Sequence, residues 1–182
     1  MPEAIIERAV AHAQKVFDKA DIPAKLKICP HPKDSTPEQK CPIVEHAFLL
    51  GIVGENRDLI VQRDTYTIGY TLRTTGRNNA AVIWPRVQSY AQYLGINVDL
   101  LLGYAMAHEI GHLLSPIGHH SIGVMDAAWD RDDAIDMARG RMGICDRDAD
   151  HMRRHVERMA SAGGAFPHTN EDRSAMQPRA TY

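Results

Sequence analysis

Two histidines and a glutamate in the run His108-Glu109-Ile110-Gly111-His112 carry the chemistry that this chain announces most clearly. Residues four apart on a helix share a face, one turn from each other. Both imidazoles can therefore reach one Zn²⁺, and Glu109 beside them is suited to take a proton from water at that ion. A zinc with catalytic duties takes three protein ligands and keeps one position open. The third ligand must come from beyond the helix, because the next position on the same face is Pro116, which has no donor. His119 and His120 follow closely, and as neighbours no more than one of them can face the metal. Asp126 and Asp130 are weaker candidates. A carboxylate from a later helix, Asp133, Asp136 or Glu157, would define a different kind of site.

These residues need a helix to hold them. Val98 to Leu114 is apolar apart from Asp99, His108, Glu109 and His112 and reads as that helix. Gly95-Ile96-Asn97 separates it from what precedes, and Pro116 stops it by disfavouring helical geometry at Ser115. Upstream, Pro2 to Ala20 reads as a helix with Ile5, Ile6, Ala9, Val10, Ala13, Val16 and Phe17 at three- and four-residue spacing. Ala24 to Cys29 alternates like a strand. The four prolines between Pro30 and Pro42 make that stretch a loop. Glu45 to Val53 reads as a buried central strand, and Thr65 to Thr74 as an edge strand. Gly76 to Asn79 reads as a turn, Ala80 to Trp84 as a further extended segment, and Arg86 to Leu94 as a helix opened by Pro85. Two more helices are expected at Asp130 to Gly140 and Asp146 to Ala160, with acidic residues at their starts.

Composition bounds the rest. A chain of 182 residues with 44% hydrophobic and 24% charged residues fits one soluble domain. We expect that domain over 1–162, a sheet-bearing part to about residue 114 and a helical part after it, with 163–182 a flexible tail. A net charge of −2 gives no electrostatic case for nucleic acid as a partner. No apolar run reaches the roughly 18 residues of a membrane span. Met1-Pro2-Glu3-Ala4 lacks the basic and apolar regions of a signal peptide. A cytoplasmic protein fits that, and so does a secreted or periplasmic one whose signal has been removed. Cys29 and Cys41 could close a loop across the proline-rich segment, implying an oxidising compartment and leaving Cys145 over; three free thiols is the other reading. His12, His31, His46, His151, His155 and His168 are expected at the surface.

From Ala107 to Trp129 the chain resembles the metzincin-type zincins, in which a zinc helix, a sharp turn and a third histidine precede a methionine turn below the metal. It departs from their usual pattern, since Ser115 stands in place of the glycine and Gly118 in place of the third histidine. The closer resemblance is to bacterial zinc-dependent proteases with His-Glu-x-Gly-His-Leu-Leu, a short spacer, His-Ser, two residues, Gly-Ile/Val-Met and a tryptophan. His120-Ser121-Ile122-Gly123-Val124-Met125 and Trp129 match in order.

That resemblance implies an α+β fold of zincin type, with a twisted mixed sheet of four to five strands on the N-terminal and zinc helices. It implies His108, His112 and His120 as ligands of one catalytic Zn²⁺, Glu109 as general base and Met125 as a support that does not bind the ion. Trp129 is expected as a buried anchor. A peptide or protein substrate would lie extended on an edge strand, best matched by Gly69-Tyr70-Thr71-Leu72. The tyrosine that helps hold the oxyanion in some such families has no counterpart in Asp126-Ala127-Ala128, and neither Tyr70 nor Tyr104 is placed by sequence to replace it. Arg73 and Arg77 could favour acidic substrates, or simply line a solvated turn. The expected function is a zinc metallopeptidase in which Glu109 activates a metal-bound water. The alternatives are a non-catalytic zinc-binding or interaction domain on the same scaffold, or a zincin with a carboxylate third ligand.

Overall fold

The computed structural model describes residues 1–29, 47–54, 67–74, 77–115, 118 and 122–161, with side chains omitted at 72–74 and 77–78. The described elements are α1 (Glu3–Lys19), β1 (Leu49–Val53), β2 (Gly69–Thr74), β3 (Arg77–Ile83), α2 (Trp84–Leu94), α3 (Val98–Leu114), a single 3-10 turn (Gly123–Met125), α4 (Arg131–Ala138) and α5 (Asp146–Ser161). Together they form an α+β fold with five α-helices and a small mixed sheet among the described residues.

α3 is the axis. A helix apolar all round can only be interior, and α3 touches every other described element. Its first turn follows Asn97, and Ser115 ends it in an extended conformation (φ −139°), as the following proline requires. α1 buries Ala9, Ala13, Val16 and Phe17, the stripe its spacing predicts. Ala9 and Ala13 let its backbone approach α3 closely: a Cβ on Gly103 would stand 2.7 Å from the Ala9 carbonyl oxygen. Asp99, in the first turn of α3, ties the pair through Arg8 Nε at 2.8 Å, with His12 Nε2 at 3.8 Å. Gly95 closes α2 at φ 73°, and the N–H groups of Gly95 and Ile96 both donate to Ala91 O, the glycine stop that leaves room for α3 to begin.

The sheet order is β1-β3-β2, with β1 parallel and β2 antiparallel to β3. Among the described strands β3 is the central one, and Leu49–Val53, from the segment expected to be central, lies beside it. β1 is an edge of the described sheet and only half-buried: Leu50 and Ile52, with Phe48 just before the strand, pack on the core while Leu49 is 61% exposed. Arg77 to Asn79, read from sequence within a turn, is the start of β3. The Thr65 to Thr74 expectation is met over Gly69–Thr74, which is an edge of the described sheet.

Of the four to five strands expected, three are described, and Ala24 to Cys29 is not a strand. Its polar backbone is satisfied another way. The Gln14 side chain donates to Ala24 O at 2.8 Å and accepts from Leu26 N at 3.0 Å. One side-chain amide thus does what a neighbouring strand would have done. Cys29 is disulfide-bonded and Cys145 carries a free thiol, while Cys41 and the 163–182 tail lie outside the described residues. No helix among the described residues is long and apolar enough to cross a membrane.

Candidate metal centre

His108 and His112 stand one turn apart on α3 with their rings edge to face, centroids 4.6 Å apart. Their Nε2 atoms are 3.0 Å from each other. The other nitrogen of His108, Nδ1, is 2.7 Å from the carbonyl oxygen of Val124. A carbonyl cannot donate, so Nδ1 carries the proton and the lone pair of the neutral ring is on Nε2, facing His112. Two imidazole nitrogens at this distance share either one proton or one cation. Two tetrahedral zinc ligands stand roughly 3.3 Å apart, given Zn–N bonds of about 2.0–2.1 Å. The pair meets that with a few tenths of an ångström of opening. The donor set fits zinc.

The Val124 carbonyl is itself held in place. Gly123 opens the 3-10 turn at φ 74°, and Val124 N–H donates to Gly143 O at 3.0 Å. A Cβ on Gly123 would lie 2.5 Å from that same oxygen, so the turn packs backbone to backbone. Met125, 2% exposed, seats its thioether against the helix: a Cβ on Gly111 would meet its Sδ at 2.5 Å. Trp129, 5% exposed, presents its ring edge-on to His108 at 5.6 Å and donates from Nε1 to Gly123 O at 3.3 Å. Tyr90 in turn donates to the Trp129 carbonyl. Burial, then Tyr93 and the aspartates 133, 130 and 126, hold the Tyr90 phenol above its ordinary value, so it stays a donor.

Glu109 is 5% exposed and lies against β2. Thr71 Oγ1 is 2.8 Å from Glu109 Oε2 and 3.2 Å from Glu109 O. A hydroxyl has one proton, and the shorter contact to the carboxylate is the stronger bond. A Cβ on Gly69 would lie 2.5 Å from Oε1. Gly69 and Thr71 thus share the face of β2 turned to the helix, and Tyr70 lies on the other.

His119 and His120 lie outside the described residues. The carboxylates proposed in their place are all described, and among the described residues no three His, Cys, Asp or Glu side chains gather as a metal-binding group. Asp130 and Asp133 cap α4 reciprocally, Asp136 binds Arg141, Asp126 accepts from Ala128 N, and Glu157 is exposed. Tyr104 is spoken for as well, its hydroxyl 3.4 Å from Met142 O. His12, His151 and His155 are half-buried, not surface residues as expected; His31, His46 and His168 are not described.

Sequence reasoning missed the Thr71–Glu109 bond, the Val124 and Gly143 carbonyls, and the Tyr90–Trp129 contact. All but the first use backbone oxygen, which no residue type signals. The glycine before Val124-Met125 was the one visible hint. No protein-family model, curated protein or solved structure matches this chain.

Proposed function

We propose that the chain is a zinc metallopeptidase of the metzincin-like zincin type, hydrolysing peptide bonds with Glu109 as proton carrier. The observation that carries this reading is the facing pair of Nε2 atoms, 3.0 Å apart, with the His108 tautomer fixed by Val124 O. Metal-binding histidines are oriented in this way, through the second ring nitrogen. Glu109 follows His108 directly, and an edge strand runs beside it. A shared proton would explain the histidine pair alone; it would not explain a buried glutamate beside the pair or a thioether packed at Gly111.

His108 and His112 would hold the ion, with His120 as its third ligand. When bound, zinc supplies a Lewis acid for the scissile carbonyl and an acidified water. Glu109 accepts the proton of the attacking water and hands it to the leaving amine. β2, paired on one side only among the described residues, offers its backbone to an extended peptide. Met125 supports the imidazoles from the Gly111 side. The substrate class is peptide or protein.

Metal analysis and a peptide-library cleavage assay on three proteins test this. The wild type should hold one zinc and cleave. Glu109→Gln should keep the zinc and lose about 10²–10⁴-fold in turnover; equal turnover removes Glu109 from the reaction. His120→Ala should lose zinc, and undiminished zinc content would reject His120 as ligand.

A further inference from the structure

Among the described residues, two constraints from outside its own helix act on the Glu109 carboxylate. Oε2 accepts from the Thr71 hydroxyl at 2.8 Å, and Oε1 lies where any side chain at position 69 would have to stand. Resting on the reading of Glu109 as proton carrier, we infer that Thr71 is a positioning residue for Glu109 and that Gly69 supplies the space the carboxylate occupies. The strand offered to the peptide then also sets where the base stands.

The sheet makes this placement firm. Gly69 pairs with Val82 and Thr71 with Ala80 on β3, and β3 packs directly on α3. Val82 is fully buried and Ala80 nearly so. The spacing between strand and base is therefore fixed by core packing. A glutamate side chain has several rotatable bonds and loses appreciable freedom when ordered. A bond to one carboxylate oxygen, with the Gly69 backbone close to the other, narrows the arrangements open to it. The division of labour on β2 follows: the Thr71 hydroxyl serves Glu109, and the strand's backbone is what remains for a peptide.

Thr71→Val keeps the shape and the β-branch and removes the hydroxyl; Thr71→Ser keeps the hydroxyl. With the zinc-loaded full chain, Thr71→Val should lower kcat about 10–100-fold, the usual effect of losing such a supporting bond. KM should stay within about twofold, since ground-state binding is untouched. Thr71→Ser should recover to within about threefold of wild type. Wild-type kcat in Thr71→Val overturns the inference, and so does equal impairment of both variants, which would mean packing alone.

The second readout does not depend on turnover. Side-chain ¹³C relaxation of Glu109, on the full chain with and without zinc, should show lost order in Thr71→Val and Gly69→Ala and retained order in Thr71→Ser. Unchanged order in Thr71→Val removes the positioning role, and unchanged order in Gly69→Ala removes the spatial one. If Glu109→Gln cleaves as fast as wild type, the peptidase reading fails by itself, and the relaxation data still decide the role of Thr71.

Discussion

Replacing Gly123 with alanine tests how the histidine pair is held, and Gly140 provides the control. Both glycines have positive φ, 74° and 62°. An L-residue there costs roughly 1–2 kcal/mol, offset by about 0.4–1 kcal/mol from the stiffer unfolded chain. Around Gly140 a Cβ meets nothing within 4 Å, so Gly140→Ala should cost about 1 kcal/mol or less. At Gly123 the Cβ would lie 2.5 Å from the Gly143 carbonyl oxygen, a backbone atom that cannot swing aside. Relief requires the two segments to part, which breaks the 3.0 Å bond from Val124 N–H to that oxygen. Val124 is fully buried, and a buried N–H left unpaired costs about 1–3 kcal/mol. Gly123→Ala should therefore destabilise by about 2–4 kcal/mol, on the order of 10 °C in Tm for a chain of this size. The displaced Val124 carbonyl would also release His108 Nδ1, which under the proposed function should weaken zinc binding about 10–100-fold. Urea unfolding and chelator competition measure the two effects. Equal stability of the Gly123 and Gly140 variants, with unaltered zinc affinity, would refute the reasoning.

Two further outcomes bear on the scaffold. Burial, more than any other influence, depresses the His12 imidazole below 6.5, with Lys15 and Arg8 pushing the same way and Asp99 opposing. A folded pKa below the unfolded one means the unfolded chain takes the proton first. Stability from this group is complete above about pH 6.5 and is lost as pH falls through the folded value. Urea unfolding at pH 7.5 and pH 5 should show a shallower acid loss in His12→Gln, and an unaltered pH dependence would remove His12 as its source. Asp130 accepts from Asp132 N and Asp133 N at 2.8 and 3.1 Å and caps α4. Asp130→Ala should cost about 1 kcal/mol, and a change below about 0.3 kcal/mol by denaturant titration would show that the cap contributes nothing.

Much of the helical framework was legible because its signals are local. Val98 and Leu114 bound α3 as the sequence reading expected, since Gly95 and Pro116 act on their immediate neighbours. The α1 stripe is likewise a matter of spacing within one helix. The sheet was harder because strand order is set by distant partners. Leu49–Val53 is the more apolar run, yet β3, which opens on Arg77-Asn78-Asn79, lies between the other two strands. β1 is apolar on both faces, but only Leu50 and Ile52 pack on the core, and a five-residue run does not reveal which side is covered. Ala24 to Leu26 had the alternation of a strand because one face does pack on the core; the Gln14 amide, ten or more residues away, decided that it would not be one.

The candidate site divides along the same line. Its donors were readable because a helix puts positions 108 and 112 together whatever surrounds them. What fixes their state was not readable: the proton on His108 Nδ1 is assigned by a carbonyl 16 residues away in sequence, and the Glu109 carboxylate by a hydroxyl 38 residues away. A bare His-Glu-x-x-His helix leaves both the tautomer and the carboxylate rotamer free. Here the turn at Gly123–Met125 and the strand at Gly69–Thr74 remove those freedoms from either side of α3 in the sequence. That makes the histidine pair and the glutamate separable by mutation. Changes at Gly123 should act through the histidines and on folding together, whereas changes at Thr71 should act on Glu109 and leave the proposed zinc binding unaltered. A Thr71→Val protein that lost its zinc would mean that the two arms are coupled through α3, and the histidine pair and the glutamate would then have to be treated as one unit.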